Sequence, residues 1–237
     1  DKGRWADTLV VPRKLIKSLP REIRKRISEG AWSLMRFGHT TNGKTNEAQA
    51  AASGRGLECD KLSKKAVKRF WDGYPMMLIN LAGHHAGKTF CRLEIDSYEA
   101  GGQDWSEVLP EEFQQRKGYD VRLWLPCIVG KRIIESKEAS KRFKDDFVDV
   151  LTSLFAENYY GYMEQLAEQS APGMRLLIEP YGTGGQKPFR VLDIHKILSQ
   201  TPHSLVATEF WVKPNWGWRD MQGHEKVMRT LQKPLLI

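Results

Sequence analysis

Apolar residues recur along this chain at two spacings, helical and strand-like, and the two alternate. Leu62, Ala66, Val67, Phe70 and Trp71 fall on one helical face, so the spacing predicts a helix over 60–74. Phe143, Phe147, Val150, Leu151, Leu154, Phe155, Tyr162 and Leu166 recur at steps of three and four, which predicts a long amphipathic helix over 137–169. "FRVLDIHKILS" (189–199) and "MQGHEKVMRTLQ" (221–232) have the same texture. Between these lie short apolar runs read as strands: "TFCRLEID" (89–96), "MRLLIE" (174–179), "HSLVATEF" (203–210) and "PLLI" (234–237). The first 45 residues differ, with strand-like "DTLVVP" (7–12) and "AWSLMRFG" (31–38) and an Asn-Gly turn signal in "TNGKTN" (41–46). The small-residue stretch "EAQAAASGRG" (47–56) is read as a boundary or as a loop over a larger domain.

Strands alternating with helices imply βα units and a parallel sheet. No G-x-G-x-x-G opens a helix after a strand, and no P-loop is present. "GTGG" (182–185) lacks the Lys-Ser/Thr of a phosphate loop and reads as a flexible turn. Whether the sheet is open or closed into a barrel turns on where the chemistry sits.

Composition narrows the classes further. The chain has 237 residues, 41% of them hydrophobic and 28% charged, which is ordinary for a globular protein. Its formal net charge of +8 is concentrated: residues 1–36 hold ten Lys/Arg against four Asp/Glu. A basic run such as "REIRKR" (21–26) with no accompanying motif reads as a solvated face, so no nucleic-acid partner is expected. No apolar stretch approaches the length of a membrane span. Cys59, Cys91 and Cys127 are far apart, and adjacent His84 and His85 have no spaced third ligand, so neither a zinc site nor a disulfide framework is indicated. Eight tryptophans and seven tyrosines suit carbohydrate rings and core filling alike.

One pattern carries chemistry. "LEIDSYE" ends in Asp96 and Glu99, "RLLIEPYG" sets Glu179 before Tyr181, and "LVATEFW" sets Glu209 before Trp211. Three expected strands each end in an acid with an aromatic close behind. In (β/α) barrels, C-terminal strand ends converge on one face, which would bring these acids into one pocket. Converging carboxylates are what glycoside hydrolysis uses, one protonated and one ionised. Crowding like charges separates their pKa values. A third acid can bind sugar hydroxyls or a hard cation.

The blocks "WSLMRFGHTTNGKTN", "GLECDKLSK", "IDSYEAGGQDW", "EFQQRKGYD", "WLPCIVGKRI", "RFKDDFVDVLTSLFAENYYGYM", "LLIEPYG" and "ATEFW", in this order over about 28–233, together resemble glycoside hydrolase family 106, the α-L-rhamnosidases. The resemblance implies a (β/α)8 TIM-type catalytic barrel with appended β-domains, an inverting mechanism and a Ca²⁺ ion contacting the bound sugar. It implies Glu99 as general acid and Glu209 as general base, with Glu179 binding calcium or sugar hydroxyls. Glu179 and Glu209 could exchange roles. Asp96, Tyr98, Tyr181 and Trp211 would line the pocket around an oligosaccharide or polysaccharide substrate.

The expected fold is therefore α/β, part of a (β/α)8 barrel preceded by a short β segment. Residues 1–45 are read as the end of a β-rich region and 46–237 as a partial catalytic domain. Four or five strands of eight, with a terminus inside the apolar run "PLLI", read as part of a longer polypeptide, inactive alone, whose parent is expected in the periplasm or outside the cell. The competing expectations are a non-catalytic carbohydrate-binding barrel, a related hydrolase with another sugar specificity, and a basic nucleic-acid module.

Overall fold

The computed structural model describes residues 4–5, 21–22, 25, 35–45, 51–96, 98, 102–129, 132–180, 193–207, 226, 229–232 and 235–236. The chain divides into two compact units, residues 1–40 with 110–147, and residues 41–109 with 148–237.

In the first unit, strands β1 (Arg4–Trp5) and β3 (Ile133–Ile134) pair in parallel. Its helical pieces include most of α3 (Leu109–Lys117) and all of α4 (Leu125–Val129). An aromatic cluster fills the interior, where Phe143 stacks on Trp124 at 5.5 Å and meets Phe113 at 5.9 Å. Ser140 secures β3, accepting from Ile134 N at 2.9 Å and donating to Ile134 O at 3.0 Å.

The second unit holds a four-stranded parallel sheet in the order β2 (Arg92–Ile95), β4 (Arg175–Ile178), β5 (Leu205–Ala207), β6 (Leu235–Leu236). Within this sheet the strands lie side by side in chain order, the arrangement that βα units produce when their crossovers all run the same way. Helices α1 (Lys64–Gly73) and α2 (Pro75–Ala82) precede β2. Between β3 and β4 come α5 (Lys137–Leu154), whose residues from Val148 on belong to this unit, a π-helical segment (Phe155–Gly161) and α6 (Tyr162–Ser170). α7 (Ile194–Gln200) joins β4 to β5.

Local chemistry explains the helix ends. Ser63 caps α1 by accepting from Ala66 N, and Asp193 caps α7 by accepting from Lys196 N at 3.0 Å. Pro75 opens α2 at a position whose N–H would have no helical partner. Strand alternation then builds the core: Ile95, Leu176, Ile178 and Val206 face Val67, Trp71, Met163, Leu166 and Ile197, all buried. Each such side chain contributes roughly 1.5–3 kcal/mol by leaving water. The opposite face of β2 carries Arg92 and Glu94, both exposed.

Two of the expected elements begin later than the pattern predicts, and the long helical run expected over 137–169 is present across its whole length. The helix over 60–74 starts at Lys64; Leu62 is fully buried ahead of it in a turn where Asp60 Oδ1 accepts from Leu62 N. Phe70, assigned to its buried face, is 39% exposed. The strand over 89–96 begins only at Arg92, because Gly87 N bonds back to Phe90 O and turns the chain. Met35–Gly38 form no strand, while 31–34 and the strand expected at 7–12 lie outside the described residues. The Asn-Gly turn is present: Gly43 has φ +73°, and Asn42 Oδ1 accepts from Lys44 N. His84 and His85 sit in a single 3₁₀ turn after α2. All three cysteines are free thiols.

Candidate functional site

Parallel register brings two of the expected acids together. Ile95 pairs with Ile178, and Glu179 N donates to Ile95 O at 2.9 Å, so Asp96 and Glu179 leave adjacent strands side by side. Neighbouring strands lie about 4.8 Å apart, which places the two residues within reach of one ligand. Ile178 also pairs with Val206, so Ala207 stands at the third strand end in line with Glu179. Asp96 is exposed, whereas Glu179 is buried at 7% exposure. Glu99, Tyr181, Glu209 and Trp211 lie outside the described residues.

Tyr98, two residues past Asp96, is 7% exposed and packs edge-on against Phe155 at 5.5 Å. Beneath it runs the segment Glu58–Leu62, a layer that hydrophobic patterning does not reveal. Lys61 is 2% exposed; its ammonium pairs with Glu58 at 2.6 Å and lies over the Tyr98 and Tyr159 rings at 4.9 and 5.3 Å. An ammonium with one carboxylate and two ring faces has the company burial demands. Asp60 reaches the chain after β2: Gln103 Nε2 donates to its Oδ1, and Ser106 Oγ to its Oδ2 at 2.6 Å. Asn42 Nδ2 donates to Gly102 O at 3.4 Å.

The π-helical segment forms the other wall. Asn158 is buried and donates to Leu62 O at 2.7 Å, tying this segment to the Glu58–Leu62 stretch. An inserted residue in a helix shifts every following side chain around the axis, and such insertions are frequent at functional sites. Here it sets Tyr159 and Tyr160 beside one another, rings 4.9 Å apart. Gly161 follows, where a Cβ would lie 3.0 Å from Gln200 O, so α7 approaches the segment at backbone distance.

Electrostatics suit donors rather than acceptors in this layer. Burial pushes the Tyr98 phenol up, and the charges of Glu58 and Cys59 push the same way. Burial likewise raises Tyr160, helped by Tyr98 and Glu179, and Tyr159, helped first by Tyr160. The Cys59 thiol is raised by burial, against the pull of Lys61. All these groups are neutral near pH 7, so the phenols can give hydrogen bonds but carry no charge.

The strand ends thus place two carboxylate residues on neighbouring strands, near a layer of buried aromatic rings and the Lys61–Glu58 ion pair. Such a set can grip vicinal sugar hydroxyls and accepts hard cations. Among the described residues no cluster of three or more His, Cys, Asp or Glu side chains is placed to hold a metal. None of the described helices is long and apolar enough to cross a membrane.

Residues Glu58, Asp60, Lys61, Asn158 and Tyr160 were not singled out as site residues from the sequence. A faint signal existed in "ECDKLS": three charges stand directly before a buried leucine and an N-cap serine, where a solvated linker would not need Leu62.

The family model for glycoside hydrolase family 106, described as alpha-L-rhamnosidase, matches residues 22–228. A Formosa agariphila protein provisionally named a beta-glucuronidase is 36% identical over 186 residues, covering 78% of this chain and 15% of that protein. The solved structure of a rhamnosidase from Novosphingobium sp. PP1Y superposes with a TM-score of 0.64 at 28% identity, covering 78% of this chain and 18% of that one. The chain therefore spans less than a fifth of the length of either relative. Over most of its own length, this chain belongs to glycoside hydrolase family 106, the α-L-rhamnosidase family.

Proposed function

We propose that this chain contributes the sugar-binding and catalytic strand ends of an inverting α-L-rhamnosidase that removes terminal rhamnosyl groups from complex glycans. The observation that carries the reading is the placement of Asp96 and Glu179 side by side at the C-terminal ends of parallel strands, with Ala207, two residues before Glu209, beside them. Sequential strand order and a polar, open face of β2 also suit part of a (β/α)8 barrel, whose catalytic residues sit at this end.

In this mechanism Glu99 protonates the glycosidic oxygen as the bond to the anomeric carbon breaks. Glu209 takes a proton from the water that attacks the opposite face. Asp96 and Glu179 hold ring hydroxyls, with Tyr98, Tyr181 and Trp211 shaping the pocket. The two carboxylates are also the right donor type for Ca²⁺, which takes six to eight oxygens, the rest coming from sugar, water and other residues. If calcium binds, Glu179 and Asp96 would hold it, and the ion would fix the sugar hydroxyls by charge.

The test replaces Glu99 and Glu209 by Gln, one at a time, in the full polypeptide that carries this chain. Each should lower hydrolysis of an alkyl α-L-rhamnoside by about 10²–10⁴-fold. Activity within a few-fold of the unsubstituted protein sinks the assignment. Undiminished turnover after EDTA removes calcium from the reading.

A second sugar specificity is favoured by one observation, the provisional beta-glucuronidase name of the Formosa relative. A panel of nitrophenyl α-L-rhamnoside and nitrophenyl β-D-glucuronide separates the two, since the sugar hydrolysed faster by at least about 100-fold in kcat/KM names the specificity.

A further inference from the structure

Helix α2 reads "PMMLINLA" and carries no charged residue. A helix that is apolar on every side is ordinarily enclosed on every side. Only one side of α2 is enclosed: Pro75 and Ile79 are buried, and Ile79 joins the core that Val67 and Trp71 of α1 also enter. On the other side Met77 is 49% exposed and Leu81 78%. Tyr74, between the two helices, is 53% exposed; Phe70 of α1 is 39% exposed, its ring 6.5 Å from that of Tyr74. These four follow one another at steps of four, three and four, the spacing of neighbours on a helix face. Seven large apolar side chains are exposed among the described residues, and four of them fall within residues 70–81. Scattered apolar residues need no explanation, but a group of this kind marks an interaction surface.

The rim of this face is cationic. Lys65 and Arg69, four residues apart on α1, are exposed and have no acidic partner among the described residues, whereas neighbouring Lys68 is paired with Asp72 at 2.6 Å. A second copy docking by this same face would add two more cations to the contact and no unpaired carboxylate. The length comparison supplies a different occupant. The chain accounts for 15% and 18% of the two relatives, so most of a polypeptide of that kind lies outside these residues. We propose that Phe70, Tyr74, Met77 and Leu81 form an internal docking face, covered in the longer polypeptide by a segment outside these 237 residues whose apolar surface is edged with carboxylates. Burial of the four side chains drives the docking, and the carboxylates meet Lys65 and Arg69 and set its orientation. The inference is independent of which acids act on the sugar.

The experiment uses the full polypeptide that carries this chain, without lipid or ligand. Oxidation of Met77 by hydrogen peroxide is followed by peptide mass spectrometry, with buried Met174 and the denatured polypeptide as references. Met77 should oxidise at least about 10-fold more slowly than in the denatured polypeptide, and the protection should persist on dilution. A carbodiimide should link Lys65 to an Asp or Glu outside these residues within one polypeptide, tested by mixing isotopically labelled and unlabelled copies. Leu81→Glu should lower the thermal midpoint by about 3 °C or more, where the same change on an open surface is nearly neutral. If that variant does not fold, Met77 oxidation in the unsubstituted polypeptide decides. Oxidation of Met77 at the denatured rate shows an open face and overturns the proposal. Protection lost on dilution, or Lys65 linked only between copies, assigns the face to a second copy and overturns it as well.

Discussion

The Tyr160 hydroxyl is fully buried and finds no hydrogen-bond partner among the described residues. Leaving such a group unsatisfied costs free energy, while its ring fills space between the sheet and the helices. Tyr160→Phe keeps the ring and removes the stranded group. Stability should be unchanged or higher by up to about 1 kcal/mol, read from the urea midpoint at constant m. A loss above about 1 kcal/mol would show that the hydroxyl is bonded, for example through a buried water. At this scale the sequence was informative about types and silent about partners. Asp96 and Glu179 stood out because each ends an apolar run. Lys61 did not, because nothing in a sequence says that an exposed-type residue will be enclosed by Glu58, Tyr98 and Tyr159.

Elements are held at the edge of the sheet opposite the candidate site by close backbone contact and one buried carboxylate. Gly87 has φ +77°, and a Cβ there would lie 2.2 Å from Pro172 O. Gly173, at φ +91°, faces the same contact from the other side, with Gly87 O 2.6 Å from its Cβ position. Gly87→Ala combines left-handed strain with a backbone clash. It should destabilise by at least about 2 kcal/mol by denaturant unfolding while leaving the strand-end chemistry unchanged in the folded fraction. Glu164, on α6, accepts from His203 N and from the Ser204 hydroxyl and so ties that helix to the turn before β5. Apolar periodicity located the long helical run, since buried residues from Phe143 to Leu166 keep one face apolar. It did not show the π-helical insertion at 155–161, because a single extra residue barely disturbs a pattern of threes and fours.

For the whole molecule, β2 and β6 have one partner strand each among the described residues. Exposed edges of a parallel sheet are costly, and parallel sheets ordinarily have both faces covered. The 237-residue chain expressed alone should therefore turn over no rhamnoside and should aggregate, while a longer polypeptide containing it turns over. Steady-state assays and light scattering on both check this, and turnover by the isolated chain counts against it. By itself the sequence determined the alternation of helix and strand, the family, and Asp96 and Glu179 as acids directly after strands, because periodicity and residue type are local properties of the chain. Only the tertiary structure decided which acids are neighbours and what supports them. Asp96 and Glu179 meet through the Ile95–Ile178 register, and Asp60 bonds to Gln103 and Ser106 more than forty residues away. Those pairings arise from how strands align and loops close, and side-chain spacing along one segment carries no record of them.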